Sequence, residues 1–252
     1  MKLTRAIIIL TVAFAFVAPA AGDWDPGDGH KMHFPQLPDP FGWDVNFTEP
    51  IVLADDWRCS QSGPVEDVHF WFSARHDELI PPDSFITGIH VSIHSDDRSG
   101  PFSKPGELLW EDDFQVGSFA IHHAGTGQQG FFDPPTGGVY PNDHFNIWQA
   151  NITDIVDPFI QEVGKIYWLD LSVTSAIPFP GLEYGWKTSQ DHFEDAAVYG
   201  RRDDPNMDWQ PLFDPFTGEQ IDLAFVITPE PATMSLLCIG GLALLRRRRQ
   251  RQ

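Results

Sequence analysis

The chain has 252 residues, with 16 Lys and Arg against 36 Asp and Glu, for a formal net charge of −20. So acidic a chain repels phosphate backbones and anionic lipid surfaces; it excludes nucleic acid as a partner and favours solubility or the gathering of divalent cations. At 42% hydrophobic and 13% aromatic residues it is not a disordered, collagen-like or coiled-coil chain.

In chain order, Lys2 and Arg5 form a short basic start and residues 6–18 an apolar run of signal-peptide length. Ala18-Pro19-Ala20 has the small-x-small form of a cleavage site, with Ala21 and Gly22 as alternatives, so residues 1–22 read as a signal peptide. The run is short for a membrane span. Residues 23–50 are rich in Pro and Asp and read as a loose N-terminal arm. From 51 to 228 the chain reads as one β-rich domain.

The 22 prolines and 21 glycines disfavour long helices. Between Pro-rich turns lie alternating segments rich in β-branched and aromatic residues, at 65–73, 85–94, 145–153, 165–175 and 221–228. Lesser strands are expected at 108–110, 182–187 and 196–199, and one short helix around 155–162. The expected fold is all-β: an antiparallel β-sandwich of jelly-roll type.

The chain then turns apolar over 232–245, after Pro229-Glu230-Pro231, and closes with Arg246, Arg247, Arg248 and Arg249. As a helix this run would rise about 21 Å, against a hydrocarbon core of ~30 Å. Arginines belong on the cytoplasmic side, so the domain faces outward from a short, temporary transmembrane anchor. The terminal segments hold Lys2, Arg5, Arg246, Arg247, Arg248, Arg249 and Arg251, but of the acids only Glu230. The domain between them is therefore more acidic than the total suggests. Cys238 lies in the tail run; Cys59 stands alone in the domain and reads as a buried, inert strand residue.

Pro229-Glu230-Pro231, the Gly240-Gly241 pair and the terminal arginines together resemble the PEP-CTERM sorting signal of bacteria. The resemblance covers residues 229–252 and implies an exosortase-type partner that cuts near the motif and passes the domain to the cell surface or the extracellular polymer matrix. The middle of the chain resembles a domain of unknown function from secreted bacterial proteins with the same tail. That likeness rests on Leu53-Ala54-Asp55-Asp56-Trp57, Ser92-Ile93-His94-Ser95-Asp96, Tyr167-Trp168-Leu169-Asp170, Gly185-Trp186-Lys187-Thr188-Ser189 and Ile221-Asp222-Leu223-Ala224-Phe225. It implies a secreted β-rich domain and brings no assigned site.

Three groups of residues are candidates for chemistry. Oxygen-rich loops suit Ca²⁺, and Asp55, Asp56, Asp96 and Asp97 are candidates for a structural Ca²⁺, though without EF-hand spacing. His90, Ser92 and His94 share a strand face, but His90 and His94 would stand ~13 Å apart, too far to share one ion. Of the nine tryptophans, Trp24, Trp43 and Trp209 lie in Pro/Asp-rich segments and are candidates for stacking on sugar rings. The adjacent His122 and His123 read as surface residues. No nucleophile elbow, zincin or phosphate-loop motif occurs, and no catalytic residue or cofactor is assigned. The sequence thus predicts an exported structural or interaction protein without evident catalysis. Its alternatives are a carbohydrate-binding module, with or without dependence on Ca²⁺, and a secreted hydrolase.

Overall fold

The computed structural model describes residues 23–78, 82–177 and 181–228. The signal-peptide, PEP and arginine-cluster residues lie outside the described residues. The fold is all-β, with two single-turn 3₁₀ segments and no α-helix among the described residues.

The strands are β1 (Trp43–Asn46), β2 (Ile51–Arg58), β3 (Gly63–Pro64), β4 (Asp67–Ala74), β5 (Ile86–Asp97), β6 (Lys104–Gln115), β7 (Ala120–Asp133) and β8 (Gly138–Ile152). They continue with β9 (Ile160–Gln161), β10 (Ile166–Ser175), β11 (Tyr184–Ser189), β12 (Val198–Arg201), β13 (Gln210–Pro211), β14 (Asp222–Leu223) and β15 (Phe225–Thr228). A six-stranded sheet runs β13-β12-β2-β10-β5-β6, and a seven-stranded sheet runs β14-β11-β1-β7-β8-β4-β15.

Alternation explains the core. On β5, Ile89, Val91 and Ile93 are buried, while His90, Ser92 and His94 take the opposite face. The buried set joins Leu53, Trp57, Leu169 and Leu171 of the same sheet to Val45, Phe70, Phe72, Trp186 and Phe225 of the other. Trp57 meets Phe225 edge-on across the two sheets at 6.3 Å. Each such side chain contributes roughly 1.5–3 kcal/mol by leaving water.

The seven-stranded sheet is not open. β4 pairs with β8, β8 with β7, β7 with β1, β1 with β11, and β11 again with β4. The sheet therefore closes into a ring. The β1–β7 contact is parallel; the other pairings between named strands are antiparallel. The long β7–β8 hairpin makes the closure, because it touches β4 near one end and β1 near the other.

The structure departs from the sequence reading in three places. First, residues 155–162 form no helix: Pro158 interrupts them, Ile155 is buried, and β9 pairs with β3. Second, the N-terminal arm is not loose. Trp24, Met32, Val45 and Phe47 are buried, and Met32, Gln36 and Pro38 bridge to Cys59, Phe225 and Ser189. Third, β2 is a full strand through Asp55 and Asp56, so these two Ca²⁺ candidates do not lie in a loop. Cys59 is buried and free as expected, its thiol donating to the Gln61 carbonyl at 3.3 Å. Burial pushes that thiol's pKa up.

Candidate functional site

The three candidate tryptophans part company. Trp24 is buried, edge-on to Trp71 at 6.0 Å. Trp209 is buried with Val52, Ala54, Trp168 and Val198 in a small cluster outside the six-stranded sheet. Neither presents a free ring face to a sugar, because the Pro/Asp-rich segments that carry them fold back over the sheets. Trp43 is half-buried, at the mouth of an open cleft of ≈ 450 Å³. Its indole N–H donates to Asp214 at 2.8 Å, and Phe216 meets its ring at 5.3 Å. Phe41 and Phe216 beside it are 74% and 70% exposed. Asp39, Gln190 and Gln220 also line the cleft. This is an aromatic ledge rimmed by acids and amides, of which the sequence disclosed only Trp43.

The aspartates are also divided. Asp55 faces the core and accepts the Leu223 N–H at 2.6 Å and a Gln36 amide hydrogen at 2.8 Å. Asp56 takes the opposite side of β2, is fully buried, and has no hydrogen-bond partner on either oxygen. Burial raises both carboxyls well above the ordinary range, and the nearby Asp222 charge adds to it. Asp96 accepts the Trp168 indole N–H at 3.0 Å and pairs with Arg98, which also reaches Glu194. Asp97 accepts the Ser99 N–H in an exposed turn. Asp56 and Asp96 thus share a neighbourhood, while Asp55 and Asp97 point elsewhere. Among the described residues, no three His, Cys, Asp or Glu side chains are placed to hold one metal ion.

The two histidines of β5 each take their own carboxylate. His90 Nδ1 lies 2.8 Å from Asp113, and His94 Nε2 lies 2.9 Å from Asp170. His94 Nε2 is also 2.9 Å from the Ser92 hydroxyl. One nitrogen serving both serine and aspartate is not a catalytic relay, which needs the base to hold them on opposite nitrogens. His122 and His123 are exposed, as expected.

A fourth constellation lay hidden from the sequence, inside the closed ring. Asp44, Asn46, Ser73, Gln129, His144 and Lys187 are all fully buried there. Lys187 Nζ lies 2.9 Å from Asp44 Oδ2, and His144 Nε2 lies 2.8 Å from the same oxygen. The other ring nitrogen, Nδ1, is 3.2 Å from Asp143. Burial works against a charged His144, but Asp44 and Asp143 outweigh it and raise its pKa to about 9. Burial would raise Asp44, yet Lys187 and His144 hold it below its ordinary value. Burial lowers the Lys187 ammonium. Farther along, Arg75 pairs with Glu183 and lies over the Tyr140 ring at 3.8 Å.

The described residues define an all-β domain with an open aromatic cleft outside and a buried ionic cluster inside. Over residues 32–228 the chain matches, and belongs to, the family described as a domain of unknown function, DUF7901. Residues 228–249 match the PEP-CTERM protein-sorting motif. That motif is a signal for export, surface sorting and exosortase-type processing. Neither the curated proteins nor the solved structures contain a match to the chain.

Proposed function

We propose that this chain is a non-catalytic component of the cell envelope or extracellular polymer matrix, held briefly by a single C-terminal transmembrane segment before processing. One observation carries this reading. The sorting motif begins at residue 228, where β15 ends, so processing there releases the whole domain without cutting a strand. The two sheets then act as a sandwich with one sheet rolled into a ring, a compact body for a surface layer. The test follows the protein in its host: antibody labelling of intact cells and of the isolated polymer. Retention in the cytoplasm or inner membrane would defeat the reading.

The aromatic cleft favours a second reading, polysaccharide binding. Phe41, Trp43 and Phe216 offer apolar ring faces, and the acids and amides of the rim can bind hydroxyls. Purified protein should bind the host's extracellular polymer saturably. Trp43→Ala or Phe216→Ala should weaken that binding at least about tenfold, the loss of ~1.4 kcal/mol expected for a stacking ring. Undiminished binding by both variants would rule out the cleft. Parallel runs with calcium and with EDTA test whether a cation takes part.

A further inference from the structure

The ionic cluster in the ring places an amine against a carboxyl under unusual conditions. Asp44 on β1 and Lys187 on β11 are direct register partners. Both side chains are wholly excluded from solvent, with Nζ and Oδ2 in contact at 2.9 Å. Asp44 Oδ1 has no hydrogen-bond partner. His144 Nε2 contacts Oδ2, and its ring is held from behind by Asp143. Lys187 Nζ also donates to the Gly42 carbonyl at 3.2 Å.

In water, an ammonium and a carboxylate do not condense, because solvation holds both in their charged forms. Lys187 and His144 hold Asp44 at rest as the carboxylate. Exclusion of solvent removes the hydration that favours separated charges, so a proton of the Nζ ammonium can move onto Oδ1 and give, as the reacting form, a neutral amine beside a neutral acid. Fixed contact supplies effective molarities of about 10⁵–10⁸ M. An imidazolium donating to Oδ2 stabilises the oxyanion that develops there.

We propose that Lys187 and Asp44 condense into an intramolecular isopeptide bond, with His144 as the electrophilic group. The amine attacks Cγ, forming the N–C bond, while His144 holds the negative charge on Oδ2. The attacking nitrogen then gives up a proton to the Oδ1 hydroxyl. The Cγ–Oδ1 bond breaks, and Oδ1 leaves as water. Acid plus amine gives amide plus water, with no oxidant or cofactor, and His144 ends as protonated as it began. The new amide N–H keeps the Gly42 carbonyl as acceptor, and its C=O keeps His144 as donor. The bond ties the N-terminal strand to the C-terminal part of the domain, a covalent closure in a domain whose cysteine, Cys59, is free. This inference does not depend on what the aromatic cleft binds.

Peptide mapping by mass spectrometry of the full chain, purified from its host, tests it directly. The expected result is one branched peptide joining the segments around Asp44 and Lys187, lighter than their sum by one water, about 18 Da. Trypsin should then fail to cut after Lys187. Lys187→Arg keeps the cation and should give only linear peptides. His144→Gln should slow accumulation of the branched peptide in newly made protein at least about tenfold. Recovery of both segments as separate linear peptides from folded wild-type protein would overturn the proposal. A branched peptide that persists in Lys187→Arg would overturn it equally, and one formed at the wild-type rate in His144→Gln would overturn the role given to that ring.

Discussion

Asp56 shows how far a single residue can depart from its sequence context. In Ala54-Asp55-Asp56-Trp57 two adjacent acids look like a turn or an ion-binding loop. The strand instead sends them to opposite faces, and both are buried. Asp55 is compensated by the Leu223 N–H; Asp56 has nothing on its oxygens. A carboxyl with a raised folded pKa stabilises the fold most below its unfolded value of about 3.9, and loses that contribution as pH rises through the folded value. Asp222, raised mainly by burial to about 6, acts in the same direction. Urea unfolding should therefore show Asp56→Asn more stable than wild type by about 1–3 kcal/mol near pH 8, with the gap closing by about pH 4. A variant less stable than wild type at pH 8 would mean that the carboxylate has a partner after all.

At the scale of elements, closure of the ring depends on close approach of β1 and β11. A Cβ at Gly185 would stand 2.6 Å from Asp44 Cβ and 2.7 Å from its carbonyl carbon. Gly185→Ala must push the strands apart and should cost about 1–3 kcal/mol, as overpacking does. Gly137, in the turn joining β7 to β8, has φ +71° and nothing within 4 Å. Asn tolerates that backbone, so Gly137→Asn should change stability by less than about 1 kcal/mol. Thermal melts of the two variants, measured together, check the contrast. The same elements mark the limit of pattern reading. Strands with clean alternation, such as β5 and β10, were legible. β2, most of β7 and all of β6 but residues 108–110 were not, because acids, histidines and glycines interrupt their apolar pattern.

For the whole molecule, the domain and its sorting motif adjoin without a spacer among the matched residues. Removing residues 229–252 should leave a folded domain, because the described strands end at Thr228. The truncated protein should escape surface sorting and appear in the culture medium. Cell fractionation and immunoblotting would show this, and a truncated chain still fixed to the surface would assign sorting to the domain itself.

The sequence by itself determined the destination and the strand-rich class. A sorting signal is read as a linear pattern, and strand formation follows from local alternation between Pro- and Gly-rich turns. Only the tertiary structure decided which polar residues meet water. Trp-Asp-Val-Asn in β1 reads as one apolar face and one solvated face. The β7–β8 hairpin wraps over that second face, so Asp44 and Asn46 lie inside the ring beside Lys187 and His144. Those partners come from strands distant in the chain. Alternation can say that two side chains share a face, but not whether another strand will cover it.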